Sequence, residues 1–168
     1  MNRKILVCLV AFSLMAMPSL SHAQAEPGSS SNSRETLRNS TGVELLGNSL
    51  LYSFYYQRML NSASGLDVGL GIYGGGDSDD AAFIAFIPFG LKFYLIPKNG
   101  SIYLTGGGVF LTGSEDIFDE DFSTLYGYAG LGFEHRSTGG FVFRFTAYGL
   151  IFEGGFFIWP GLTIGYAF

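Results

Sequence analysis

The end of the chain, residues 157–168, reads FIWPGLTIGYAF. Within it Phe168, Tyr166, Ile164 and Leu162 recur at every second position, and the residues between them are small or weakly polar. Alternation with a period of two predicts a β-strand with one large apolar face. Because the sequence stops at an aromatic residue, with no polar tail to cover that face, this strand is not typical of a water-soluble sheet.

The composition of the whole chain is also unusual for a water-soluble domain. Its 168 residues include 17 Phe, 10 Tyr and 25 Gly, and only 14% are charged. Beyond the N-terminal segment, no apolar run reaches the roughly 20 residues that a membrane-spanning helix needs. A closed β-barrel is the remaining way for such a chain to satisfy every backbone polar group in lipid.

The first 23 residues have the order of features that defines a secretory signal peptide. Arg3 and Lys4 form a basic start, residues 5–20 are almost entirely apolar, and residues 21–23 (SHA) offer small side chains for cleavage. Cleavage after Ala23 and cleavage after Ala25 both fit. We therefore expect residues 1–23 to be a signal peptide that exports the protein.

Removal of that peptide changes the chemistry that the chain offers. Cys8 lies inside the apolar part of the signal peptide, so the exported chain is expected to hold no cysteine. Without Arg3 and Lys4, the nine basic residues of the chain become seven, against fourteen acidic residues. This balance argues against nucleic acid as a partner.

The rest of the chain divides into a lead-in and one barrel domain. Residues 24–40 are rich in Ser, Asn and Arg without periodicity, which predicts a flexible N-terminal lead-in. Residues 41–168 alternate strand-like segments with turn residues, which predicts an all-β fold, an eight-stranded antiparallel transmembrane β-barrel. The predicted strands are 43–46, 50–58, 66–73, 82–96, 101–112, 124–136, 141–152 and 157–168. Whether residues 43–60 form one strand or two stays open, although one strand would be nearly twice the length of a membrane crossing.

The connections between these strands predict which end of the barrel faces outward. If the C-terminus lies in the periplasm, the periplasmic connections are 61–65, 97–100 and 137–140, and the outer ones are 47–49, 74–80, 113–123 and 153–155. Every periplasmic connection is then short, and both long acidic connections are external. Short periplasmic turns and longer outer loops are typical of outer-membrane barrels.

Several segments resemble those of small outer-membrane β-barrel-domain proteins of the OmpX/OmpW type. They are residues 132–136 (GFEHR), 139–144 (GGFVFR), 159–168 (WPGLTIGYAF), and, for the opening strands, 44–47 (ELLG) and 52–58 (YSFYYQR). The resemblance implies a location in the bacterial outer membrane, among lipid and lipopolysaccharide, and brings no cofactor and no active site with it. It also implies that Phe168, Tyr166 and Ile164 form the C-terminal signal read by the barrel-assembly machinery. We expect the barrel to be a monomer.

Charged residues on two neighbouring strands are the first candidates for function. Phe141, Phe143 and Phe145 alternate with Arg144, and Phe133 alternates with Glu134. Lipid should take the aromatic faces, which leaves Glu134 and Arg144 inside, close to cross-strand opposition on either side of one turn. Lys92, and in one reading Glu44, point inward by the same alternation. We interpret Glu134, Arg144 and Lys92 as a structural interior ion-pair layer; a selective pore through this layer is the alternative.

Two further groups of residues are candidates for catalysis or metal binding. The pair His135 and Ser137 resembles the catalytic pair of outer-membrane lipid A deacylases, with Glu153 as a third member. Glu153, however, falls at the opposite end of a membrane-crossing strand, roughly 25 Å away, and a catalytic base must lie within hydrogen-bond reach of its partner. The acidic stretches 77–80 and 115–121 offer carboxylates for Ca²⁺ or Mg²⁺, but their spacing matches no metal-binding loop. We interpret them as a solvated acidic surface that keeps barrels apart or bridges to lipopolysaccharide through divalent ions.

We therefore predict no catalytic, cofactor-binding or metal-binding residues, and a protein that is not an enzyme. Two functions remain open. One is a structural or surface-interaction barrel whose lumen does not conduct. The other is a narrow channel or carrier for small hydrophobic solutes.

Overall fold

Eight antiparallel strands close on themselves in the computed structural model, which describes residues 32–75, 82–96, 98–113, 122–152 and 154–168. The strands are β1 (Asn39–Leu46), β2 (Tyr52–Asn61), β3 (Ser64–Gly75), β4 (Ala82–Tyr94), β5 (Gly100–Gly113), β6 (Phe122–Arg136), β7 (Phe141–Phe152) and β8 (Gly155–Ala167). Each strand pairs with the strands before and after it in sequence, and β8 pairs with β1. The predicted fold class is confirmed.

The seam between β8 and β1 closes the barrel. Thr41 pairs with Tyr166 and Leu45 with Leu162. At the end of the seam the backbone N of Phe168 donates to the O of Asn39 at 2.8 Å, and the N of Asn39 donates to the O of Phe168 at 3.0 Å. A closed ring of this kind leaves no unpaired sheet edge, which is the condition for crossing lipid with strands.

Residues 43–60, whose division the sequence left open, belong to two strands. Between them the chain makes a short 3₁₀ helix, Gly47–Ser49. The backbone turns through positive φ at Leu46 (59°), Gly47 (73°) and Leu50 (70°). Such angles are uncommon for residues other than glycine and persist where surrounding contacts hold them.

The structure corrects the predicted lead-in. Asn39 and Ser40 already belong to β1, and a one-turn helix, Ser33–Thr36, precedes it. The side chain of Asn32 caps this helix by accepting from Arg34 N at 3.2 Å, and Ser33 Oγ donates to Asn99 Oδ1 at 2.8 Å. The first strand therefore begins two residues before the predicted start of the barrel at residue 41, and Ser33 and Arg34 have partners on the barrel. Residues 24–31, like the signal peptide, lie outside the described residues.

The two faces of the sheet differ as the alternation predicted. Large apolar side chains point away from the barrel and are exposed, among them Phe54 (61%), Leu125 (63%) and Ile158 (71%). Polar and charged side chains, together with tyrosines, fill the lumen. In the described part of the chain, no helix has the length and apolar character needed to cross a membrane.

The two ends of the barrel also differ. One end, which we call the near rim, carries residues 32–38, Phe168 and the connections β2–β3, β4–β5 and β6–β7. The opposite end, the far rim, carries the 3₁₀ helix and the strand ends at Gly75, Gly113 and Phe152. The acidic stretches 77–80 and 115–121 and Glu153 lie outside the described residues.

Candidate functional site in the barrel lumen

A single carboxylate organises the near end of the lumen. Glu134 on β6 pairs directly with Arg144 on β7, and Arg144 Nε donates to Glu134 Oε2 at 2.6 Å. Arg34 Nη2 donates to Glu134 Oε1 at 3.0 Å, and Arg136 Nε lies 3.3 Å from the same oxygen. Tyr94 completes the shell by donating its hydroxyl to Oε2 at 2.7 Å. The structure thus brings Glu134 together with Arg144 and with two further arginines.

An amide supplies a second acceptor for these arginines. Gln57 Oε1 accepts from Arg136 Nη2 and from Arg144 Nη2, both at 2.6 Å. Its Nε2 donates to Tyr94 Oη at 2.9 Å. We call Glu134, Arg34, Arg136, Arg144 and Gln57 the near cluster; all five side chains are buried. The cluster holds three cations against one anion.

Aromatic rings offset part of this excess positive charge. The Arg34 guanidinium carbon lies 4.4 Å from the centre of the Tyr94 ring, and that of Arg144 lies 4.6 Å from the centre of the Tyr55 ring. A desolvated cation over an aromatic face gains on the order of 2 kcal/mol. Even so, among the described residues Arg34 Nε and Nη1 have no hydrogen-bond partner. Arg34 is thus the least completely satisfied cation of the cluster.

Lys92 points inward as expected but does not join the near cluster. Its Nζ contacts Asp67 Oδ2 on β3 and forms a separate buried ion pair. The predicted layer of Glu134, Arg144 and Lys92 is therefore two units in the structure. In the barrel register Lys92 pairs with Gly65, and Asp67 pairs with Gln57 and Gly90, so this second unit adjoins the near cluster at Gln57.

Glu44 lies deeper in the lumen and is held by hydroxyl groups. Tyr148 Oη donates to Glu44 Oε1 at 2.7 Å, and Thr163 Oγ1 donates to the same oxygen at 3.3 Å. A cavity of about 20 Å³ lies beside it, lined by Glu44, Asp67, Lys92, Arg144 and neighbouring hydroxyl-bearing and apolar residues. A space of this size holds about one water molecule.

The far end of the lumen is occupied by a segment of the chain itself. Residues 47–50, which we call the far stopper, fold into the barrel mouth. Tyr126 Oη donates to the backbone O of Asn48, Tyr73 Oη donates to Ser49 O at 2.7 Å, and Trp159 Nε1 donates to Leu50 O at 3.1 Å. A buried apolar layer lies inside it, formed by Phe86, Val109, Tyr126, Tyr128, Tyr148 and Leu150.

The alternative catalytic reading gains no geometric support. His135 lies on the exposed outer side of β6, whereas Ser137 belongs to the following turn, where its Oγ accepts from Phe141 N at 2.9 Å. Glu153 lies outside the described residues. Among those residues, no group of three or more His, Cys, Asp or Glu side chains is placed to hold a metal ion.

Sequence reasoning missed three members of the near cluster for different reasons. Arg136 shares the inward parity of Glu134 and could have been found by extending the same alternation. Gln57 follows the inward parity of β2, where Ser53 and Tyr55 are also buried. Arg34 lies in a segment without periodicity, so the sequence pattern does not predict its burial.

Comparison with known proteins supports the fold. No protein-family model and no curated protein matches the sequence. Among solved structures, the N-terminal β-barrel domain of Pseudomonas aeruginosa OprF matches with a TM-score of 0.56 at 15% identity, covering 77% of this chain and 94% of that chain. The crystal structure of Ail, the attachment invasion locus protein of Yersinia pestis, matches with a TM-score of 0.45 at 16% identity, covering 77% of this chain and 96% of that chain. By fold, the chain is a small eight-stranded β-barrel of the outer-membrane type.

Proposed function

We propose that this protein is an integral outer-membrane β-barrel with a structural or surface-interaction role, a closed lumen and no catalytic activity. The filling of the lumen is the observation that carries this proposal. The near cluster, the Lys92–Asp67 pair, the Glu44 layer and the far stopper follow one another along the barrel interior. The cavity of about 20 Å³ among them has room for about one water molecule.

The outer surface supports insertion into lipid. At the outward positions of the described strands, Arg58 and His135 are the only side chains that are charged or carry an imidazole, and both lie at the near rim. A basic side chain facing lipid at mid-depth costs ~2–4 kcal/mol. The exposed band of Phe, Leu and Ile side chains gains free energy when its apolar surface leaves water. It is therefore unfavourable in water and favourable in a membrane.

The arrangement of the lumen supports a structural role for its charges. Glu134 receives hydrogen bonds from Arg34, Arg144 and Tyr94 while fully buried. Groups held by this many partners have little freedom to bind and release a passing solute. A buried charge whose partner is removed destabilises a protein by about 3–5 kcal/mol, so the cluster is expected to fix the barrel conformation.

A passage for small hydrophobic solutes is a second candidate, favoured by one feature of the far rim. Phe152 and Phe157 point toward the mouth and stack with their ring planes 3° apart and their centroids 5.6 Å apart. Trp159 packs edge-on against Phe157 at 6.0 Å. Such rings could receive an apolar solute, but the far stopper beneath them would have to move for it to enter.

Reconstitution into liposomes tests both parts of the proposal. The purified protein should float with the vesicles and show the heat-modifiable gel migration of a folded barrel. Liposome swelling should then match that of protein-free vesicles for small sugars and for apolar solutes. Protein that stays out of the vesicles would overturn the membrane assignment, and swelling above the control would overturn the closed lumen.

A further inference from the structure

Exposed basic side chains lie at two places on the near rim, two residues at each place. The backbones of Arg38 and Arg58 are neighbours at the first place, because Arg58 pairs with Asn39 and Met59 N donates to Arg38 O at 2.7 Å. Lys98 lies in the β4–β5 connection beside His135 at the end of β6, since Arg136 N donates to Asn99 O at 2.8 Å. All four side chains are exposed, in contrast to the buried arginines of the near cluster.

The two pairs face opposite directions around the ring. Arg38 and Arg58 flank β1 and β2, whereas Lys98 and His135 flank β5 and β6, four strands further around an eight-stranded barrel. We call these four residues the basic rim. The acidic group nearest in sequence is Glu35, whose backbone O accepts from Arg38 Nε at 3.2 Å and whose side chain is exposed.

Each pair borders lipid-facing apolar side chains. Arg58 lies between Leu60 (55% exposed) and Leu66 (45%), and Lys98 follows Leu95 (59%) and Ile96 (47%). A long basic side chain at such a boundary keeps its stem on apolar surface and extends its charged group to the interface. At the interface of a membrane leaflet, the groups available to a cation are lipid phosphates.

We propose that the basic rim binds the phosphate headgroups of anionic glycerophospholipids in the leaflet at the near rim. This inference rests on the proposed membrane insertion and goes beyond it by naming a lipid class and the side chains that hold it. Binding on two opposite sides would fix the depth of the barrel and oppose tilting. The described outward surface at the far rim carries no Lys or Arg, so we expect this headgroup binding only in the leaflet at the near rim.

Native mass spectrometry of lipid retention tests this proposal. The protein is refolded into phosphatidylcholine vesicles that contain phosphatidylglycerol, extracted in mild detergent, and analysed for bound lipid. The wild type should retain phosphatidylglycerol above its share of the vesicle lipid. Each removed cation should lower that preference about fivefold, so Arg58→Gln combined with Lys98→Gln should nearly abolish it.

Two controls separate headgroup binding from folding. The charge-preserving pair Arg58→Lys and Lys98→Arg should keep the preference, and every variant should retain heat-modifiable migration. A wild type without preference, or a double Gln variant that keeps it, would overturn the basic rim while leaving membrane insertion intact. Failure of the wild type to enter any vesicle would instead overturn the proposed function on which this inference rests.

Discussion

Arg34, which precedes the first strand, donates from Nη2 to Oε1 of Glu134 at 3.0 Å across 100 residues of chain. This contact ties the N-terminal helix into the lumen. Removing the arginine should release the helix, yet it also removes one of three cations that share a single carboxylate. We therefore expect Arg34→Met to lower the unfolding free energy only modestly, by about 1–2 kcal/mol, measured by urea titration of heat-modifiable migration.

The control for this change is Arg38→Gln in the same segment. Arg38 is exposed and its Nε donates to the backbone O of Glu35, so in vesicles without anionic lipid its loss should leave unfolding unchanged within about 0.5 kcal/mol. A protease should cut residues 32–38 faster in Arg34→Met than in Arg38→Gln. Equal cleavage in the two variants would contradict a role for Arg34 in docking the helix.

Glu134→Gln should be the most destabilising single change in the near cluster. It leaves three buried guanidinium groups without their shared carboxylate, at a cost of about 3–5 kcal/mol. Arg144→Met should cost less, because Glu134 keeps Arg34 and Arg136. Urea titration should show this order, and Glu35→Gln, an exposed carboxylate change, is the matched control.

Combining Glu134→Gln with Arg144→Met should recover only part of the loss. An isolated Glu134–Arg144 pair would recover most of it, since both charges disappear together. The structure leaves Arg34 and Arg136 without a carboxylate in the double variant. Full recovery would show that those two arginines do not interact with Glu134.

Gly47→Ala should disturb the far stopper. Gly47 has a φ of +73°, and a Cβ at this position would collide with the Glu44 carboxyl. Gly154 is a matched control, because its φ is +86° and nothing lies within 4 Å of an added Cβ. Gly154→Ala should show only the backbone cost of about 1–2 kcal/mol, whereas Gly47→Ala should add about 1–3 kcal/mol of steric strain.

Tryptophan fluorescence distinguishes these two glycine variants directly. The chain has one Trp, and Trp159 Nε1 donates to the backbone O of Leu50 in the far stopper. Its emission should shift in Gly47→Ala and stay unchanged in Gly154→Ala. An unchanged spectrum in both would mean that the far stopper tolerates the extra methyl group.

Deleting Phe168 should impair assembly more than synthesis. Phe168 exchanges two backbone hydrogen bonds with Asn39 at the closing seam, and its side chain is 43% exposed on the outer face. The deletion should reduce the heat-modifiable fraction in the membrane while the total amount of protein stays similar. Phe156→Ala, which alters an equally lipid-facing ring at the other end of β8, should assemble normally.

The barrel was predictable because lipid and lumen impose opposite demands on alternate residues. Phe141, Phe143 and Phe145 on one side of β7, and Arg144 on the other, reveal both faces at once. The same alternation placed Glu134 and Lys92 inward. The partner of Lys92 was not predictable, because its contact with Asp67 depends on how far the closed ring staggers neighbouring strands.

The contacts of the N-terminal segment could not be predicted from the sequence pattern. Residues 32–38 carry no periodicity, and a polar segment of this composition is usually mobile. Its order comes from tertiary contacts: Ser33 with Asn99, and Arg34 with a carboxylate inside a barrel that must already exist. No local property of the sequence records such a contact.

Planar-bilayer recording tests the closed lumen most directly. With insertion established by heat-modifiable migration of the protein recovered from the bilayer, and with a reference porin recorded in a separate bilayer as the positive control, the wild type should give no unitary conductance above the baseline. The near cluster, the cavity of about 20 Å³ and the far stopper occupy successive parts of the described lumen, and this filling is the basis of the expectation. Stable unitary steps from the wild-type protein would contradict this account and establish a conducting lumen.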